Sequence, residues 1–320
     1  MVEMFPEVPE EIKYYPPKPE VVERTADSKD SVARSIVSLV LFIAIFYFFF
    51  DVEIKFIFIV VAALIIHELG HFMAMEKFGY RNLKIFFVPL LGAYVSGEKK
   101  DISQKQKLLV LMAGPIPGII FGFGFIAAYY FTEHDNFAMM ASVFLYLNAF
   151  NLIPVTPLDG GHIIETLFFS SNRLFQLIFI FISTVALIFV SFYFELYVLL
   201  FVSFLLGGKV LNQFLVYRVR RILIKKGFNL DIEYEEMTDE QYWTMRDVII
   251  RKAKVFKSIT PGNYTIDVRE PVILSLIRGM IGKRNEAKLG FWGKFLFFAV
   301  WLIFLLVPAA FIYISTFYEI

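Results

Sequence analysis

Apolar and polar stretches alternate along the whole chain. The apolar runs are Ile36–Phe50, Phe56–Met75, Leu108–Phe131, Phe137–Ile153, Leu174–Phe192, Leu196–Tyr217 and Phe291–Phe317. A helix needs about 20 apolar residues to cross a bilayer, and these runs reach or approach that length. Within the second run, Phe56–Ile66 and Phe72–Met75 are apolar on every side, as a helix in lipid is. The pattern predicts an all-α polytopic membrane protein with about seven transmembrane helices. Leu83–Gly97 is apolar but too short to cross. Its Pro89, Gly92 and Gly97, set among Phe86, Phe87, Val88, Tyr94 and Val95, suit an extended hairpin rather than a helix. Both of its ends then lie on one side of the membrane, as a re-entrant loop.

The polar stretches divide the chain. Residues 1–32 are rich in proline and charge and read as a disordered tail. They lack the short apolar region after a basic start that marks a signal peptide. Residues 33–217 form the transmembrane domain, 218–290 a small α-rich module, and 291–317 a last span. Within the module, Thr238-x-x-Gln241 is a capping box. The helix it opens runs to about Lys257 and puts Tyr242, Met245, Ile249 and Phe256 on one face, and a short strand follows at Tyr264–Val268. The segment 196–217 is read as a sixth span with a snorkelling end at Lys209, Asn212 and Gln213; one long helix over 174–206 is the alternative.

Charge sets the orientation. Lys13, Lys18, Arg24, Lys29 and Arg34 hold the N-terminus in the cytosol. Alternation then leaves Asp51/Glu53, Glu133/Asp135 and Glu195 outside, and brings Lys77, Arg81, Lys84, Lys99, Lys100, Lys105, Lys107, Arg173 and the module inside. Lys55 is the single exception. This arrangement suits the plasma (inner) membrane of a prokaryote.

Composition narrows the chemistry. The chain is 58% hydrophobic with 39 phenylalanines and a formal net charge of +1, which gives no case for nucleic-acid binding. It has no cysteine, so disulfides, thiol catalysis and thiolate metal ligands are excluded. Its four histidines are His67, His71, His134 and His162.

Two of these stand in His67-Glu68-Leu69-Gly70-His71, inside the second apolar run. At helical spacing the imidazoles at i and i+4 share a face and can bind one zinc ion. Glu68 can then reach a metal-bound water as general base. Ionisable groups in lipid cost several kcal/mol and mark sites. From Phe56 to Ile66 the helix covers about 16 Å, which puts the metal in the cytosolic half of the bilayer. The fourth span ends in Asn148-Ala-Phe-Asn151-Leu-Ile-Pro154-Val-Thr-Pro157-Leu-Asp159-Gly160-Gly161 and approaches from the same side. Alone, Asp159 reads as a turn residue before Gly-Gly; beside an incomplete zinc site it reads as the third ligand. His162 competes for that role. Ala113-Gly114-Pro115-Ile116-Pro117-Gly118, with Gly122 and Gly124, reads as close helix packing.

His67-Glu68-x-x-His71 followed by Asn151-x-x-Pro-x-x-Pro-Leu-Asp159-Gly160-Gly161 resembles the site-2 protease family of intramembrane zinc metalloproteases. The resemblance covers a core of roughly residues 54–170. It implies His67, His71 and Asp159 as ligands of one zinc ion per chain, Glu68 as base and Asn151 as an active-site helper. It also implies a substrate that is a membrane protein with a transmembrane helix, within the lipid bilayer. The chain departs from the family in having Leu91-Gly92 where Gly-Gly is frequent, and Gly118 near a frequent Asn. The rival readings are a non-catalytic zinc scaffold, a cation transporter, and a protease taking Glu165 as third ligand. Oligomeric state is not legible.

Overall fold

The computed structural model describes residues 14–21, 28–49, 52–88, 92–99, 101–170, 172–282 and 288–318. The expectations for 1–13 and 22–27 of the tail, for Asp51, for Pro89–Leu91 at the hairpin tip and for Lys100 lie outside them. The chain divides into two compact units, one holding residues 14–21 and the stretch from Asn212 to 282, the other the remainder.

The larger unit is helical. It comprises α1 (Ser28–Phe49), α2 (Ile54–Lys77), α3 (Gln104–Ala113), α4 (Pro115–Thr132), α5 (Asp135–Asn151), the short α6 (Asp159–Ile164), α7 (Arg173–Tyr193), the first half of α8 (Val198–Lys225), and α11 (Phe291–Tyr318). Among the described residues, five helices are long and apolar enough to cross a membrane: α2, the α3–α4 pair taken together, α7, α8 and α11. The apolar part of α1, Val32–Phe48, and the 17-residue α5 are shorter. Phe194–Tyr197 separates α7 from α8, so the alternative of one helix over 174–206 does not hold.

The expected third span is two helices rather than one. Gly114 joins them, with Pro115 opening α4, where a missing N–H costs nothing. Ser103 caps α3 in a full capping box with Gln106. Leu108, Met112, Ile119, Leu145, Leu152, Ile163, Leu167 and Trp301 form the largest core of this unit, and Trp301 Nε1 donates to Leu152 O at 3.0 Å.

Between α2 and α3 stands a hairpin of β1 (Arg81–Val88) and β2 (Gly92–Glu98), antiparallel, with Ile85 opposite Val95 and Phe87 opposite Ala93. On the outer edge of β1, Ser35 Oγ of α1 donates to Ile85 O at 2.5 Å, and Phe87 N donates to Ser38 Oγ at 3.1 Å. Ile85 and Phe87 therefore face out of the ladder. Their partners Val95 and Ala93 present their backbone groups on the opposite edge.

The smaller unit packs α9 (Asp239–Lys252) and α10 (Glu270–Met280) around Tyr242, Trp243, Ile249, Phe256, Ile273 and Ile277. Thr238 and Gln241 form the expected capping box, and the helix ends at Lys252, before the expected Lys257. The expected strand over 264–268 does not form. Its carbonyls have no partner strand; Arg246 instead donates to Asn263 O and Thr265 O, at 3.1 and 3.0 Å, while its Nε meets both Glu270 oxygens. Residues 14–21, part of the stretch read as a disordered tail, lie extended against this unit.

Candidate metal centre

His67 and His71 sit one turn apart on α2, both buried. Asp159 is the first residue of α6. Three atoms meet: His67 Nε2 and His71 Nε2 are 3.2 Å apart, and each is 3.1 Å from Asp159 Oδ2. A tetrahedral zinc ion with bonds of about 2.0–2.1 Å has ligand–ligand edges of about 3.3–3.4 Å, so the triangle fits three corners of such a centre.

The second nitrogen of each ring fixes its tautomer. His67 Nδ1 lies 2.8 Å from Asn148 Oδ1, and His71 Nδ1 lies 2.8 Å from Val110 O. The amide of Asn148 is itself oriented, since its Nδ2 donates to Phe144 O at 2.7 Å. Both Nδ1 atoms face oxygen acceptors and so carry the proton. Both Nε2 lone pairs are then bare and point at each other and at a carboxylate. Three ligand atoms so placed could hold one metal ion, and these three residues are the group that could do so among the described residues.

Close approach by glycine makes this possible. A Cβ on Gly114 would stand 2.3 Å from His71 Nε2, and one on Gly118 would stand 2.1 Å from Asn148 Nδ2. The small residues of 113–118 thus seat the ring of His71 and the amide behind His67, which helix packing alone does not describe. Gly160 and Gly161 follow the same logic. A Cβ on either would meet the backbone of Leu152–Thr156 at 2.0–2.6 Å, so Asp-Gly-Gly opens a tightly packed helix and is not a turn.

Glu68 is buried beside the two histidines, and its Oε2 has no hydrogen-bond partner among the described residues. The backbone of Val95 in β2 lies beside the same carboxylate. The hairpin edge that α1 leaves open therefore runs past Glu68.

The other predicted residues fall elsewhere. Asn151 Nδ2 donates to Leu147 O at 3.1 Å, one turn back along α5, and no hydrogen bond joins it to the triad among the described residues. Its neighbour Asn148 makes the contact with His67 instead. His162 pairs with Glu165 at 3.4 Å and stands outside the group that could hold a metal, as does Glu165.

A model of peptidase family M50 matches residues 55–135. A zinc metalloprotease of Methanocaldococcus jannaschii is 30% identical over 110 residues, 33% of this chain and 32% of that protein. Stage IV sporulation protein FB of Bacillus subtilis is 30% identical over 106 residues, 32% of this chain and 37% of that protein. The chain thus spans about a third of the length of these curated relatives. The solved site-2 protease from Methanocaldococcus jannaschii superposes with a TM-score of 0.42 at 21% identity, over 57% of this chain and 88% of that one.

Proposed function

With residues 55–135 belonging to peptidase family M50, we propose that the chain is an intramembrane zinc metalloprotease. It hydrolyses a peptide bond within or near a transmembrane segment of a membrane-protein substrate. One observation carries the reading. Three bare ligand atoms converge within 3.2 Å, next to a buried carboxylate oxygen that lacks a partner. A non-catalytic zinc scaffold has no use for that oxygen, and a structural centre closes its fourth position.

His67, His71 and Asp159 would hold one zinc ion. Bound there, zinc supplies a Lewis acid for the scissile carbonyl and brings the pKa of a water toward about 7. Glu68 accepts the proton of the attacking water at Oε2 and returns it to the leaving amine. Asn148 positions His67. We assign Asn151 as an oxyanion donor: one N–H of its amide is held by Leu147 O, and the other is available.

A transmembrane substrate is a helix whose carbonyls are engaged, so it unwinds before cleavage. The open edge of β2, through Ala93 and Val95, then takes the unwound stretch as an added strand and lays it alongside Glu68. In this reading the hairpin is re-entrant. The N-terminus and the 218–290 module share the cytosolic side, and the membrane is the inner membrane of a prokaryote.

Zinc content of purified variants tests the ligand set. Asp159→Ala loses most of the metal, because two imidazoles alone hold it weakly; His162→Ala keeps it. Zinc that survives Asp159→Ala and falls with His162→Ala would refute the assignment.

A further inference from the structure

Residues 14–21, Tyr-Tyr-Pro-Pro-Lys-Pro-Glu-Val, lie along the smaller unit with a repeat of three. Tyr14, Pro17 and Glu20 are exposed, while Tyr15, Pro16, Lys18 and Pro19 are half-buried. Three residues per turn is the period of polyproline II, which keeps its backbone carbonyls outside any internal hydrogen bonding.

The unit reads both faces of that repeat. The carbonyls of Pro16 and Pro19, one turn apart, accept from Trp243 Nε1 at 2.6 Å and from Tyr234 Oη at 2.7 Å. The side chains of Tyr15 and Lys18 are also one turn apart. Tyr15 packs on Tyr264 with ring centroids 5.1 Å apart, and Tyr264 in turn meets Trp243 at 5.4 Å. Lys18 Nζ donates to Tyr234 O at 2.7 Å, to Glu235 O at 3.3 Å and to Met237 O, and lies 4.8 Å from the centre of the Tyr234 ring. All three ammonium protons thus find acceptors. The Lys18 backbone N–H is taken by Asp239 Oδ1 at 2.8 Å.

Aromatic donors that grip proline carbonyls, with a polar pocket for one basic side chain, are the means by which proline-rich peptides are recognised. We propose that the 212–282 unit is a receptor for aromatic-Pro-Pro-Lys-Pro segments. Its resident ligand is the chain's own residues 15–19, and a partner protein presenting an exposed segment of the same chemistry takes their place. The segment lies on the outside of the unit, since none of residues 14–21 is fully buried, with Tyr15 and Val21 packed against its core; an incoming segment of the same chemistry covers the same residues. The resident segment competes as a tethered ligand at an effective concentration of about millimolar. The occupied receptor is therefore nearly silent toward a micromolar peptide.

The test uses the full chain in detergent micelles and a fluorescein-labelled peptide of residues 12–21, read by anisotropy. Wild type binds with an apparent Kd of about millimolar, the effective concentration of the tether. Lys18→Glu removes the anchor from its carbonyl cage and raises peptide affinity at least about tenfold. Pro17→Gly loosens the segment at an exposed position without touching the unit, and opens the receptor by a second route. Adding Tyr234→Phe to either variant deletes the donor to Pro19 and weakens the peptide about tenfold, as loss of one hydrogen bond does. Failure of both opened variants to bind, or binding that Tyr234→Phe leaves unchanged, overturns the proposal.

Discussion

Gly118→Ala should strip zinc from a centre that it does not touch. A methyl group there would stand 2.1 Å from Asn148 Nδ2, 2.4 Å from Cγ and 2.5 Å from Oδ1. Ordinary contact is about 3.5 Å, so the amide must retreat by about 1 Å or more. The Asn148–His67 hydrogen bond, now 2.8 Å, then stretches to about 3.8 Å and ceases to be one. His67 loses the acceptor that fixes its tautomer, and losing such a partner typically costs about 10–100-fold in metal affinity, or about 1.4–2.7 kcal/mol. The assay is zinc affinity by competition with a chelator on the purified protein. Asn148→Ala gives the same loss by deleting the partner. The double variant Gly118→Ala/Asn148→Ala should be no worse than either single change, because the methyl group then has nothing to displace. Losses that multiply in the double variant, or unchanged affinity in Gly118→Ala, refute the reasoning.

Asn151→Leu should keep expression, thermal stability and zinc while cleavage falls by about 10²–10³, as for removal of one oxyanion donor; a variant that sheds zinc instead makes Asn151 structural. Ser258→Cys in this cysteine-free chain should resist an impermeant thiol reagent applied to intact cells, and labelling from outside would reverse the proposed orientation. Burial, with the Glu270 and Asp239 carboxylates nearby, pushes the Tyr234 hydroxyl up to about 12 from 10.0. Folding thus favours the neutral phenol, and that stability is present below pH 10 and lost as pH rises toward 12. Thermal melts of the full chain across this window should show the fall, and Tyr234→Phe should make it shallower, the buried Tyr242 hydroxyl keeping its own share; identical slopes in the two proteins would contradict the assignment.

The grouping of His67, His71 and Asp159 was legible because its chemistry is written at short spacing. His67, Glu68 and His71 occupy one helical turn in an apolar run, where nothing else accounts for them. Asp159 came from a second segment whose approach from the same side followed from charge alternation. What lay beyond reach was relative rotation. Asn148 and Asn151 share a face of α5 at i, i+3, and only the packing of α5 against α2 decides which amide meets His67. Gly114 and Gly118 were visible as small residues, but a sequence does not say which ring or amide fills the space a missing Cβ leaves. The 14–21 segment was hidden for a different reason. Proline and charge describe an unfolded tail and a bound polyproline strand equally well, and the aromatic residues that receive it lie more than 200 positions away. Tyr264–Val268 has strand composition, yet the buried guanidinium of Arg246 outcompetes a ladder for its neighbouring carbonyls.

Cleavage by Glu68→Gln, with zinc measured on the same samples, bears most directly on the central claim. Wild type and variant are reconstituted in vesicles with a model single-span substrate. Glutamine keeps the size of the side chain and removes the proposed base, and Glu68 stands outside the group that could hold the metal. The account predicts that the variant folds, holds as much zinc as wild type and shows no cleavage, while wild type cuts the substrate and stops when a chelator takes the metal. Proteolysis by Glu68→Gln at more than a few per cent of wild type, or loss of its zinc, would contradict it.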